Sequence, residues 1–202
     1  MIAIIDYGMG NIHSVKKALE AKGANVVVTS NHLEIKRARK LVLPGVGAFG
    51  DAMAELEKRD LVEPIAEHIQ DRKQFLGICL GMHLLFESSE ESPGIKGLGI
   101  LKGKVVKFGA FAGLKVPHMG WNQIKIRSIN CPLFKDMGTA GEVYFCHSFY
   151  PDPEDSQIIA ASTEYGIDFA SIIWKDNLFA TQFHPEKSQA TGLKILENFV
   201  KF

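Results

Sequence analysis

The chain has 202 residues, 46% of them hydrophobic, and 23 Lys plus Arg balance 23 Asp plus Glu to a formal charge of zero. That length suits one domain with a core large enough to need no cross-links. The balanced, ordinary composition excludes a disordered chain, and it leaves no cation excess with which to displace phosphate counterions from nucleic acid.

Taken in order, Ile2-Ala3-Ile4-Ile5 is an apolar run of the kind buried on both faces of a sheet. The turn-rich Asp6-Tyr7-Gly8-Met9-Gly10-Asn11 follows, then a helical segment over residues 13–22 with Val15, Ala18 and Leu19 on one face and Gly23 as its stop. Residues 26–29 and 40–43 read as the second and third strands. After the loop Pro44-Gly45-Val46-Gly47-Ala48-Phe49-Gly50, Asp51 is placed to cap a helix over 52–59. Leu61, Val62, Ile65, Ala66 and Ile69 give the next helix by their three-and-four spacing. Residues 74–78 form another apolar strand, running at once into a helix through Leu84, Leu85 and Phe86. Strand–helix alternation implies right-handed crossovers and a parallel sheet covered by helices.

Beyond about residue 100 short strands take over, at 104–108, 122–127, 142–146, 157–163, 169–175 and 178–183. Gln123-Ile124-Lys125-Ile126-Arg127 alternates strictly and predicts one wet face, while Asp176-Asn177 predicts a tight hairpin. A closing helix over 191–201 buries Leu193, Leu196, Phe199 and Val200. The expected fold is α/β, a single domain over residues 1–202 whose mostly parallel, helix-flanked sheet carries an antiparallel extension.

Cys79, Cys131 and Cys146 are too few for a disulfide framework and read as reduced thiols of a cytoplasmic protein. The first residues lack the basic region of a secretory leader. The most apolar stretch, 75–86, falls well short of the ~18 residues that a membrane helix needs. Seven histidines show no compact ligand spacing with cysteine, so neither a metal nor a cofactor is expected. Cys146 reads as packing, and Lys36-Arg37-Ala38-Arg39-Lys40 as a solvated helix face.

Chemistry concentrates at Gly77-Ile78-Cys79-Leu80-Gly81, where a strand turns sharply into a helix with a thiol at the apex. Small residues two positions to either side permit the close backbone approach that such an elbow needs. A helix N-terminus there favours thiolate over thiol, and the Leu80 N–H is placed to bind an oxyanion. The pentapeptide alone fits a nucleophile or a buried structural cysteine equally well. His184-Pro185-Glu186 follows an apolar strand, and in extended chain residues i and i+2 face one side. Glu186 can then accept from one ring nitrogen of His184 and leave the other for a thiol. Pro44-Gly45-Val46-Gly47 follows a strand with two glycines that let amides approach a ligand, as an oxyanion hole requires; by itself it is also an ordinary turn.

Together these three motifs resemble the class I glutamine amidotransferases. Asp6-Tyr7-Gly8-Met9-Gly10-Asn11, Pro117-His118-Met119-Gly120-Trp121-Asn122, His147-Ser148-Phe149-Tyr150 and Gln182-Phe183-His184-Pro185-Glu186-Lys187-Ser188 are similar to the glutaminase subunits of imidazole glycerol phosphate synthases, over essentially the whole chain. The resemblance implies a flavodoxin-like fold and hydrolysis of glutamine through a Cys79 thioester, with His184 and Glu186 completing a catalytic triad. It implies an oxyanion hole from Gly45, Val46, Gly47 and Leu80, with substrate contacts from His83, Glu91, Ser148 and Phe149. It further implies a heterodimer in which ammonia passes to a (β/α)8-barrel cyclase making imidazole glycerol phosphate in histidine biosynthesis. Asn11, Trp121, Asn122 and Lys187 would lie at the docking face, with Tyr144 near the ammonia exit.

His83 departs from the pattern, which usually has glutamine four residues after the cysteine. A neutral imidazole cannot offer an amide's donor and acceptor from one end, and a charged one would favour the Cys79 thiolate. The departure keeps two alternatives open: a glutaminase serving a sugar-amidating synthase, and a non-catalytic docking subunit. A cysteine peptidase on a similar elbow would leave the Gly45 and Trp121 blocks unexplained.

Overall fold

The four residues of β1 (Ile2–Ile5) are buried on both faces, as their unbroken apolar run requires. The chain then winds through α1 (Ile12–Glu20), β2 (Val26–Thr29), α2 (His32–Arg37), β3 (Lys40–Gly45), α3 (Phe49–Lys58), α4 (Val62–Gln70) and β4 (Gln74–Cys79). A single turn, α5 (Leu80–His83), leads to β5 (Ser88–Ser89), β6 (Gly103–Lys107), β7 (His118–Ile126), β8 (Ala140–His147) and β9 (Phe149–Pro153). Last come β10 (Ile159–Glu164), β11 (Asp168–Lys175), β12 (Leu178–Thr181) and α6 (Gln189–Lys201). The computed structural model describes residues 1–109 and 114–202; among these, no helix is long and apolar enough to cross a membrane.

Nine strands share one sheet in the order β2-β1-β3-β4-β12-β11-β10-β7-β8, and β5, β6 and β9 form a second. Neighbours are parallel from β2 through β12 and antiparallel from β12 to β8, so the parallel core with an antiparallel extension is what folds. Alternate residues of β1 feed different cores. Ala3 and Ile5 pack with Ile35 of α2, Leu56 of α3 and Ile65 of α4; Ile2 and Ile4 pack with Leu19 of α1 and Phe199 of α6. Each such fully buried Ile, Leu or Phe is worth about 1.5–3 kcal/mol. The predicted hairpin joins β11 to β12, with Lys175 opposite Leu178 across Asp176 and Asn177.

In this order the chain leaves β1 for β2 on one side and returns as β3 on the other. Open α/β sheets hold ligands at the carboxyl ends of strands beside such a reversal. Gly45 and Cys79 end β3 and β4 there, in register with each other.

Several local expectations give way. The helix expected through Leu84, Leu85 and Phe86 stops at His83, because the carbonyls of those three residues accept N–H groups from residues 98–101 instead of continuing a helical ladder. Asp51 does not cap α3. That helix begins at Phe49, and its first donors reach Glu91 and Ser92: Phe49 N–H to Glu91 Oε2 at 2.9 Å and Gly50 N–H to Ser92 Oγ at 2.9 Å. The basic run is only partly helical. Lys40 opens β3, and its ammonium donates to the carbonyls of Phe199 (2.6 Å) and Val200 (2.9 Å) at the end of α6. The short helix α2 and the proline-bearing strand β9, on the smaller sheet, lack a periodic signal long enough to announce them.

Candidate active site

Cys79 holds φ 53° and ψ −108°, a region that costs a non-glycine residue about 1–3 kcal/mol. Close packing enforces the turn. A Cβ on Gly77 would lie 2.7 Å from the Gly81 carbonyl oxygen, and one on Gly81 would collide with the carbonyl of Leu43. The flanking glycines are therefore required by backbone approach. The helix that follows is a single turn, so little macrodipole reaches the thiol, and its electrostatic support comes from side chains.

His184 lies three residues beyond β12 and is pinned through its backbone. Its N–H donates to the Tyr144 carbonyl at 3.1 Å, and its carbonyl accepts from the Ser188 hydroxyl at 2.7 Å. Ring Nδ1 lies 3.0 Å from Glu186 Oε1, and the imidazole lines the same cavity as Cys79. Burial opposes a charged imidazolium most strongly, yet the interactions with Cys79 and Glu186 outweigh it, and His184 is pushed up to about 10. Among the described residues, Glu186 Oε2 is buried without a hydrogen-bond partner, which directs the carboxylate's interaction toward the imidazole.

The segment after β3 is held from below by Tyr7, whose buried hydroxyl donates to the Pro44 carbonyl at 3.0 Å. Burial first, then the nearby Cys79 charge, pushes the Tyr7 phenol up, so it remains a donor. A Cβ on Gly45 would meet that hydroxyl at 2.5 Å and Leu80 Cβ at 2.9 Å; Gly47 sits at φ 110°. Val46, Gly47 and Leu80 line a cavity of about 380 Å³ together with Cys79 and His184, a volume within the range of small-molecule sites. Gly45 packs beneath that cavity and does not line it.

Glu91, Ser148 and Phe149 also line the cavity, as do Tyr144 and Lys187, which thus sit on the site itself. Glu91 has one oxygen committed to α3. Cys146, expected to be packing, opens onto the same space. Trp121 is no core aromatic: it is 47% exposed and meets the Tyr144 ring edge-on at 6.2 Å. Asn122 turns to the other face of β7, where its amide donates to the Glu164 carbonyl (3.0 Å) and lies 3.3 Å from His118 Nε2. Asn11 is occupied as the N-cap of α1, accepting from Ser14 N–H at 3.4 Å. Among the described residues, no cluster of three His, Cys, Asp or Glu side chains is arranged for a metal ion.

His83 is buried, and burial, partly offset by the Gln182 hydrogen bond, pushes it down to about 4. It is neutral at pH 7 and supplies no positive charge to Cys79, so that expected route to a thiolate closes. Its Nε2 lies 2.7 Å from Gln182 Oε1, and Gln182 Nε2 in turn is 3.9 Å from Cys79 Sγ. Tyr7 and Gln182 also pack at the site, and inspection of the sequence passed over both. Both stand inside quoted motifs, and a polar atom fully buried in an apolar strand end is the signal that marks them.

A family model described as glutamine amidotransferase class-I matches residues 3–202. Imidazole glycerol phosphate synthase subunit HisH of Methanocaldococcus jannaschii is 53% identical, with 100% of this chain and 99% of that protein covered. The subunit of the same name from Geobacter metallireducens is 52% identical over 98% of this chain and 96% of its own. Among solved structures, PurLQS from Thermotoga maritima aligns with a TM-score of 0.76 at 18% identity, covering 99% of this chain and 97% of that one, which is a likeness of fold.

Proposed function

Since the chain belongs to the class I glutamine amidotransferases and, within them, to the HisH subunits of imidazole glycerol phosphate synthase, we propose that Cys79, His184 and Glu186 perform its glutamine hydrolysis. We propose also that the ammonia passes to a (β/α)8-barrel cyclase subunit in a cytoplasmic heterodimer. The observation that carries the assignment is that the elbow thiol shares one cavity with an imidazole whose other side is paired with a buried carboxylate.

In this mechanism His184 holds the proton given up by Cys79, and the sulfur attacks the carboxamide carbon of glutamine. The tetrahedral oxyanion is held by amides of the Val46–Gly47 segment and Leu80; one lost donor in such a hole costs about 3–4 kcal/mol. Tyr7 supports that segment by fixing the Pro44 carbonyl, and Gly45 admits Tyr7 and Leu80 to contact. His184 then delivers its proton to the departing nitrogen, which leaves as ammonia with the thioester formed. Water, deprotonated by His184, attacks the thioester carbonyl, glutamate departs and the sulfur is restored. Glu186 orients the ring throughout. Glu91, Ser148 and Phe149 hold the amino-acid end of glutamine, and Tyr144 and Lys187 stand where ammonia leaves.

Support for docking comes from the outward face of β7, where Met119 is 60% exposed and Trp121 47%. Neighbouring apolar side chains left in water mark an interaction site. Asn11 and Asn122 serve it indirectly, by ordering α1 and β7. The relatives' shared name favours the imidazole glycerol phosphate reaction over a sugar-amidating synthase. The test is Cys79→Ala in complex with the cyclase: glutamine-dependent synthesis should vanish while synthesis from free ammonium persists. Equal loss of both overturns the assignment.

A further inference from the structure

We propose that Gln182 is itself a catalytic residue of this site, its carboxamide N–H donating to the Cys79 sulfur once the thiolate forms, and that His83 is the positioning residue that keeps the amide in that orientation. The proposal rests on the glutaminase assignment above and adds a function for the two buried side chains that its mechanism leaves idle.

Gln182 is completely buried, and its main chain is fixed by an N–H bond to the Ser171 carbonyl at 2.9 Å. An amide side chain in such a place has two ends to satisfy. Oε1 can only accept, so the 2.7 Å contact requires the hydrogen to sit on His83 Nε2. Burial keeps the imidazole neutral, so Nδ1 carries the lone pair and one tautomer is selected. With its oxygen engaged, the amide has only its NH2 to turn toward Sγ, 3.9 Å away. That is long for an N–H···S bond, and contacts of this kind tighten in the reacting state.

The orientation matters because the alternative is repulsive. A flipped amide would set its oxygen against the sulfur, acceptable while S–H donates but opposed once the proton has moved to His184 and the electron pair remains on sulfur. A donor at position 83 therefore selects the amide orientation that stabilises the nucleophile. With α5 only one turn long, a directed N–H has more to contribute than the helix end. A glutamine at position 83 could make the same donation to Gln182 Oε1. Tyr7 and His184 face the thiol, Glu186 is paired with His184, and Glu91, His147 and Lys187 line the cavity. All six are unchanged in the variants below.

The experiment is alkylation of the full-length chain by iodoacetamide across pH, with Cys79 followed separately from Cys131 and Cys146 by peptide mass spectrometry. In Gln182→Met, which keeps the bulk and removes the donor, the pH midpoint of Cys79 alkylation should rise by about one unit and the rate at pH 7 fall about tenfold, with the high-pH rate retained. His83→Phe should move the midpoint the same way, and His83→Gln should restore it. An unmoved midpoint in Gln182→Met overturns the proposal. Should that variant fail to fold, the His83 pair decides: equal midpoints in His83→Phe and His83→Gln overturn it equally. A wild-type Cys79 that reacts no faster than Cys131 would instead bring down the glutaminase assignment beneath it.

Discussion

Replacing His83 with Gln should make the protein more resistant to acid. In the folded chain, burial holds this imidazole at about 4, whereas an exposed histidine in the unfolded chain titrates at its ordinary 6.5. Between those values the unfolded chain binds a proton that the folded one refuses, so stability rises with pH across this interval and is lost as pH falls from 6.5 toward 4. From pH 7 to pH 5 the loss from this one ring is about 2 kcal/mol. Glutamine has no such titration and can still donate to Gln182 Oε1. Urea unfolding of wild type and His83→Gln at both pH values gives the effect as a difference of differences, which cancels the groups common to both proteins. Those include His118, held by burial at about 4, and His147, held well below its ordinary value by burial, with the His118, His83 and His184 charges acting the same way. For His147 only the small contribution of the His83 charge fails to cancel. His184 works in the opposite sense: its raised value stabilises the fold fully below 6.5 and ceases to as pH climbs through about 10. Wild type should lose about 2 kcal/mol more than the variant. Equal losses would refute a buried, neutral His83.

Two further substitutions probe the machinery from different sides. Glu186→Gln keeps the shape around His184 but presents an amide to Nδ1, and glutamine hydrolysis should fall about a thousandfold or more with the circular dichroism unchanged; a loss smaller than tenfold would remove Glu186 from the triad. Tyr7→Phe strands the buried Pro44 carbonyl, which should cost about 1–3 kcal/mol of urea stability and lower hydrolysis in the assembled complex; unchanged values of both would show that the hydroxyl is not what holds the segment.

The fold was legible wherever a long run had a single period. β1, β3 and β4 show unbroken apolar runs because both of their faces are covered, and α1 and α6 show three-and-four spacing because one face of each is. Legibility failed where tertiary contacts outbid local preference. Leu84, Leu85 and Phe86 look helical, yet residues 98–101 supply the donors that their carbonyls take. Asp51 looks like a cap, yet α3 is capped from Glu91 and Ser92, some 40 positions away along the chain. No window of sequence contains both partners of such a bond.

The site divides along the same physical line. Cys79 and its flanking glycines could be read directly because an elbow needs backbone approach, which leaves an imprint on neighbouring positions. His184 and Glu186 could be read because two residues of extended chain place them side by side. The bond between His83 and Gln182 joins positions 99 apart, and its meaning depends on which nitrogen carries a hydrogen and which way an amide faces. Those are properties of an environment: His83 Nε2 is a donor because the atom 2.7 Å from it is an amide oxygen and burial denies the ring its charge. His83 also lines the cavity beside Cys79, so its place at the site is fixed by a contact that no stretch of sequence contains.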